Sequence, residues 1–163
     1  MHEPARLYPA LIAVASVAVL AAAFGFQYLG GLDPCVLCIY QRYPYGVVIA
    51  LAAVALVAPA GRAQAVLLGL AAVVFLAGAG IAAFHVGVEQ HWWAGLAACG
   101  SGAPAAPQDL GALMKSLDRQ PAACDSVAWS LFGISMAGYN FLISLALAAV
   151  SIGAARRLWS ARA

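Results

Sequence analysis

Four cysteines carry the chemistry of this chain: Cys35 and Cys38 in a Cys-Val-Leu-Cys motif, and Cys99 and Cys124 further on. Two cysteine pairs brought to one face of a membrane can pass electrons by thiol exchange, whereas a scaffold usually needs a single staple. A bridge across the segment between Cys99 and Cys124 would stabilise the chain by about 3.5 kcal/mol through loop entropy, so a structural role for that pair has weight by itself. The same argument gives Cys35 and Cys38 only about 2 kcal/mol, because a four-residue ring constrains almost nothing distant. Their spacing instead lets one thiol attack and the other resolve, and a thiolate there is readily stabilised.

Asp33-Pro34 reads as an N-cap followed by proline at the first helical position, which would place both sulfurs in a first helical turn. Pro44 obliges a continuous helix to kink or break. Arg42 stands four residues after Cys38 and hence on the same face of any helix holding both. As an interfacial residue it would only snorkel toward headgroups; beside a reactive thiol a permanent cation stabilises thiolate and electron acceptor alike. His85 and Glu89 form an i,i+4 pair, with His91 beyond them, and these are the titratable groups available to a proton-coupled step at that helix end. Zinc is the competing use of cysteine and histidine. No metal site is expected, because the second pair is 25 positions apart and His85 and His91 do not share a helix face.

The elements that must position these residues follow from composition. With 65% hydrophobic and 9% charged residues in 163, the chain is too apolar for an ordinary soluble domain. Uncharged runs of 26, 19, 26 and 30 residues separate Arg6 from Asp33, Arg42 from Arg62, Arg62 from Glu89, and Asp125 from Arg156. Each holds the roughly 20 residues that cross a hydrocarbon core. A fifth run, 90–108, carries Gly95, Gly100, Gly102, Pro104 and Pro107 and reads as loop. The expected architecture is all-α: a single-domain integral membrane bundle of four helices near 7–29, 39–58, 64–86 and 128–153, with one long loop over 87–127. Within that loop, 109–117 has the apolar spacing of a short surface helix. The first apolar run exceeds the 7 to 15 residues usual for a signal peptide and is read as a retained span.

Arg6, Arg62, Arg156, Arg157 and Arg162 fall on one side of this scheme, and Arg42, Lys115 and Arg119 on the other. The positive-inside rule then puts both termini in the cytoplasm and all four cysteines outside. A net charge of +2 without a basic aromatic patch gives no case for nucleic acid.

The run Pro34-Cys35-Val36-Leu37-Cys38-Ile39-Tyr40-Gln41-Arg42, the run from His85 to Glu89 leading to Cys99, and Cys124-Asp125 followed by Trp129, 132–137 and Asn140 together resemble the disulfide bond formation protein B family of bacterial inner-membrane thiol oxidases. The resemblance covers almost the whole chain. It implies a quinone-dependent protein-disulfide oxidoreductase in which a periplasmic DsbA-like thioredoxin-fold oxidase is reoxidised by a Cys99–Cys124 disulfide. Cys99 would form the mixed disulfide, Cys124 and Cys35 would exchange, and Cys38 would reduce a ubiquinone or menaquinone beside Arg42, with His85 as a second quinone contact. Two other readings compete. A vitamin K epoxide reductase-type protein shares the chemistry but is expected to carry its CxxC near the last helix. A non-enzymatic tetraspanning protein with a stapled loop leaves Cys35, Cys38 and Arg42 without work.

Overall fold

The computed structural model describes residues 3–99 and 122–160. Four helical segments in it are long and apolar enough to cross a membrane. In chain order the elements are α1 (Glu3–Tyr28), α2 (Val36–Tyr40), α3 (Arg42–Val57), α4 (Arg62–Glu89), a 3-10 turn at Ala97–Cys99, β1 (Ser130–Leu131), β2 (Ile134–Ser135) and α5 (Met136–Ser160). The protein is an all-α, multi-pass membrane bundle. The candidate surface helix at 109–117 lies outside the described residues.

Small side chains set how closely the helices approach. Helix α4 buries Ala71, Ala72, Gly78, Ala79 and Ala82, and α5 buries Ala137, Ser144, Ala148, Ser151 and Ala154. In lipid no hydrophobic effect separates helix from solvent, so close backbone packing over such residues does the work of association. A Cβ on Gly78 would meet the Pro44 ring at 3.1 Å, which shows how tightly α3 seats on α4. Ile12, Tyr45, Val48, Leu68, Phe75, Ala148, Ala154 and Leu158 complete one core, with Tyr45 and Phe75 edge-on at 5.8 Å. At one end of the bundle Arg157 donates to the Tyr8 hydroxyl and Arg62 lies over the Trp159 ring. All four cysteines lie at the other end, where Cys35, Cys99 and Cys124 pack with Leu37 and Val88 in a second buried cluster.

Two local features depart from the sequence expectations, and a third, the kink or break that Pro44 obliges, is present. The second span is broken at Gln41 into α2 and α3. In an unbroken helix the Pro44 ring would clash with the carbonyl of the residue four before it, Tyr40, and α2 ends at that residue. Cys35, not Asp33, is the N-cap: its backbone is extended (φ −70°, ψ 169°) and its sulfur accepts the Cys38 N–H at 3.1 Å. Asp33 and Pro34 stand before the helix.

The fourth span begins at Met136 rather than near 128. Residues 130–135 form a tight antiparallel hairpin pairing Ser130 with Ser135 and Leu131 with Ile134. Its two turn residues, Phe132 and Gly133, have φ of 51° and 77°. A two-residue turn of this hand requires both to be positive, and glycine takes that conformation at little cost. The hairpin delivers Ser135 to the start of α5, where its hydroxyl accepts from Gly138 N at 3.1 Å and donates to the Glu89 carboxylate of α4.

Candidate functional site

Between α1, α3, α4 and α5, at the cysteine end, lies a cleft of about 480 Å³. Ala18, Ala22, Phe26 and Ile143 give it apolar walls, while Cys35, Cys38, Gln41, Arg42, His85 and Glu89 face it at one end. The sequence expectation joined Cys35, Cys38, Arg42 and His85 in one site, and all four line this cleft.

The break at Gln41 positions the cysteines. With α2 reduced to one and a half turns, Cys35 sits at its mouth and Cys38 one turn inside, their sulfurs 2.6 Å apart. The two are free cysteines, Cys35 buried and Cys38 half-buried. Donors converge on Cys35: the Cys38 thiol, the Cys38 backbone N–H at 3.1 Å, and His85 Nε2 at 3.5 Å. The hydrogen bond from the Cys38 thiol is the largest influence. Together with His85 and the Cys38 N–H it outweighs the burial that pushes the thiol up, and the Cys35 thiol is lowered from 9.0 to about 4.

His85 is fixed from its other side. Gln41 Nε2 donates to Leu37 O at 3.3 Å and to His85 Nδ1 at 2.7 Å. Gln41 Oε1 in turn accepts from Asn140 Nδ2, and Asn140 Oδ1 accepts from the Tyr45 hydroxyl, which also meets Ser144 Oγ at 2.9 Å. This chain of amides and hydroxyls runs across α3, α4 and α5 to one ring nitrogen, and a buried network this fully paired holds its members in place. Sequence reasoning missed it. Gln41 and Asn140 carried the only available signal, as amides inside otherwise apolar helices.

Glu89 Oε1 is 3.9 Å from His85 Nε2, so the i,i+4 pair expected from the sequence does form, both residues being buried. His91 does not join the site. It follows α4 with φ of 58° and is exposed.

Arg42 is placed differently from a simple one-turn neighbour of Cys38. Its described hydrogen bonds go to α1: Nη1 donates to Gln27 Oε1 at 2.7 Å and Nη2 to Ala23 O at 3.5 Å, with the guanidinium 4.8 Å over the Phe24 ring. The arginine thus pins α1 to the start of α3 and carries its charge on the cleft wall.

The second cysteine pair is a disulfide, Cys99–Cys124, with Cα atoms 5.1 Å apart. It is deeply covered: Cys99 is 4% exposed and Cys124 0%. What brings it to Cys35 is a reversal of the chain after α4. Trp93 folds back to stack on Phe84 at 5.9 Å and donates its indole N–H to Phe84 O at 3.0 Å. Its ring fills the space where a Gly87 side chain would stand. From there the 3-10 turn sets Cys99 against Val88 and Cys35. The disulfide and the Cys35 sulfur at the mouth of α2 therefore share one buried cluster at one end of the bundle, with Cys38 packed against it.

The family model described as "Disulfide bond formation protein DsbB" matches residues 5–154 of the chain. Among curated relatives, disulfide bond formation protein B of Methylococcus capsulatus (strain Bath) is 38% identical over 144 residues, covering 83% of this chain and 84% of that protein. Disulfide bond formation protein B 2 of Pseudomonas entomophila (strain L48) is 32% identical over 150 residues, covering 88% and 85%. Disulfide bond formation protein B of Polaromonas sp. (strain JS666) is 29% identical over 160 residues, covering 91% and 89%. No solved structure matches the chain at a significant level.

Proposed function

Because the chain belongs to the disulfide bond formation protein DsbB family, and is thereby a disulfide-forming membrane oxidoreductase, we propose that it takes electrons from a periplasmic thioredoxin-fold dithiol and delivers them to a membrane quinone. The observation that carries this reading is the single buried cluster of Cys35, Cys99 and Cys124, whose Cys35 lines a cleft together with Cys38 and Arg42.

In the proposed cycle the partner's thiolate attacks Cys99 and displaces Cys124 as a thiolate. Cys124 attacks Cys35 of the oxidised Cys35–Cys38 pair, and Cys38 leaves as a thiolate facing the cleft. The second partner thiol resolves the mixed disulfide at Cys99, releasing an oxidised partner. Re-forming the Cys99–Cys124 bond by attack of Cys99 on Cys124 then frees Cys35, which leaves the CxxC as a dithiol. Each turnover moves two electrons and two protons.

A quinone supplies the acceptor for both. The cleft suits such a group, since a flat apolar ring with two carbonyls needs hydrocarbon walls and a few polar contacts at one end. Arg42 holds a fixed positive charge on that wall, His85 and Glu89 offer sites through which protons can pass, and the amide network keeps His85 oriented toward Cys35. The quinone is a ubiquinone or menaquinone, both of which would meet the same cation and walls. The positive-inside pattern supports an inner-membrane orientation with cytoplasmic termini and periplasmic cysteines.

The test is direct. The purified protein in lipid, given a reduced periplasmic thioredoxin-fold oxidase and a soluble quinone analogue, should consume one quinone for each partner disulfide formed. Partner oxidation with no quinone consumption, or quinone consumption unaffected by Cys38→Ser, would remove the quinone from the pathway.

A further inference from the structure

The sequence reading set metal aside because His85 and His91 share no helix face, but the fold brings His85 alone to the CxxC motif. Cys35 Sγ, Cys38 Sγ and His85 Nε2 all lie within 4.8 Å of one another. Zinc with its thiolate bonds near 2.3 Å and its imidazole bond near 2.05 Å sets sulfur and nitrogen about 3.5 Å apart in a tetrahedral site. Cys35 Sγ and His85 Nε2 are 3.5 Å apart. The two sulfurs, at 2.6 Å, would have to separate by about 1.2 Å, which a small side-chain rotation at the half-buried Cys38 supplies. Cys35 at a helix mouth with the Cys38 N–H directed at its sulfur is already arranged to carry a thiolate ligand.

We infer that the reduced protein binds one thiophilic divalent cation of the zinc class through Cys35, Cys38 and His85, with the fourth position open to the cleft. The site exists only in the dithiol state, because a Cys35–Cys38 disulfide has no thiolate to offer. The thiol protons that the pair still holds leave on binding, and no electrons move. The surrounding polar groups accommodate the change. Coordination at Nε2 moves the ring hydrogen to Nδ1, and Gln41 answers it by turning its amide so that Oε1 accepts, giving up the Nε2 hydrogen bond to Leu37 O. Asn140 turns with it, its oxygen then accepting from Gln41 Nε2. Glu89, 3.9 Å from Nε2, stands beside the ion as a compensating carboxylate. A cation held there occupies both thiolates of the motif and blocks their reoxidation. That consequence rests on the redox role proposed above, whereas binding itself does not.

Cobalt(II) is the probe for the test, since thiolate ligation and tetrahedral geometry both give it characteristic absorption. Full-length protein in lipid nanodiscs, reduced and freed of reductant, should take up one cobalt per chain with a sulfur-to-metal charge-transfer band, and zinc should displace it. Oxidised protein should show no such band. Cys35→Ser and Cys38→Ser should lose it, while a Cys99→Ser/Cys124→Ser protein should keep it. His85→Ala should weaken binding by at least about tenfold, and His85→Cys, which restores a soft ligand, should recover it. Equal binding by oxidised and reduced protein, a band that survives in Cys35→Ser, or His85→Ala binding as tightly as the parent would each overturn the site. In the turnover assay, zinc added to reduced protein should stop quinone reduction and a chelator should restore it. Stoichiometric zinc with unchanged turnover would overturn the inhibitory role. A protein that never turns over would count against the proposed function, while the cobalt spectrum would still decide the site.

Discussion

Gln41 Nε2 donates to His85 Nδ1 over 2.7 Å. An amide nitrogen can only donate, so Nδ1 is the acceptor and the ring carries its hydrogen on Nε2, the nitrogen that faces Cys35 Sγ at 3.5 Å. The orientation of one buried amide thus sets which nitrogen of a histidine on another helix presents a donor to the reactive sulfur.

Replacing Gln41 by Leu should therefore act in two places. It leaves His85 Nδ1 and the Asn140 amide without their partner in a buried setting, a loss of about 1–3 kcal/mol, visible as a lower thermal midpoint of the protein in detergent. It also frees the His85 ring to turn from Cys35, so alkylation of the reduced protein at Cys35 should slow at neutral pH. A variant with reduced stability but unaltered Cys35 reactivity would separate the amide from the thiol.

The Cys35 thiol, lowered from 9.0 to about 4, predicts a pH profile of definite sign. Because the folded value lies below the unfolded one, the thiolate stabilises the reduced protein fully above the unfolded value of about 8.5–9 and ceases to do so as pH falls through about 4. Alkylation of Cys35 in a Cys99→Ser/Cys124→Ser protein should then be nearly flat between pH 6 and 8, a window well above the folded value. A rate that climbs steadily through that window, as an ordinary thiol's does, would contradict the depression. His85→Ala should move the profile upward, since it removes one of the donors.

Gly87 offers a packing prediction. A side chain there collides with the Trp93 ring, which is stacked on Phe84 and held by an indole hydrogen bond. Gly87→Ala should expel Trp93, destabilise the protein by about 1–3 kcal/mol and red-shift tryptophan emission. Because Trp93 leads the chain back toward Cys99, the Cys99–Cys124 bridge should also become easier to reduce. In a Trp93→Ala background the Gly87→Ala cost should largely vanish, and an additive double mutant would show that the two do not meet.

How much of this was legible from the sequence differs by residue type. The four spans follow from charges: Arg6 and Asp33, Arg42 and Arg62, Arg62 and Glu89, and Asp125 and Arg156 bracket uncharged runs of membrane-crossing length, and the desolvation cost of a charge in lipid leaves few alternatives. The start of α5 was misplaced because 128–135 is uncharged too, and hydropathy does not distinguish a hairpin turned by Phe132 and Gly133 from a helical turn. Asp33-Pro34 carries a helix-start signal stronger than that of Cys35, yet the thiol caps α2 instead. Cys35, Cys38, Arg42 and His85 were all expected at one site, by chemistry and resemblance. The partners that hold them were hidden, since Gln41 and Asn140 meet across 99 positions of sequence and nothing local pairs them. Arg42's ties to Gln27 and Ala23 depend on α1 lying beside α3, a tertiary fact with no sequence pattern of its own.

Those ties shape the last prediction. Arg42 donates to Gln27 Oε1 and to the Ala23 carbonyl and lies over the Phe24 ring, so one side chain both fixes α1 and places a cation on the cleft wall. The two functions depend on different properties: the first on the planar fork of donors, the second on charge alone. Arg42→Lys keeps the charge and gives up the fork, so it should weaken apparent quinone affinity by a modest factor while leaving the maximal rate close to that of the parent. Arg42→Met gives up both. It leaves Gln27 without its partner and removes the cation from a setting of low dielectric, where charge counts for more than it does in water. Its half-saturating quinone concentration should rise by at least about tenfold, a loss of roughly 1.4 kcal/mol. Exchange between the loop disulfide and a reduced partner, which takes place around Cys99, should hardly change. Gln27→Leu distinguishes anchoring from charge, since it loosens the guanidinium from α1 with the cation intact. It should resemble Arg42→Lys. If Gln27→Leu instead matches Arg42→Met in the quinone step, the arginine acts by holding α1 in place, and its charge is incidental to the acceptor.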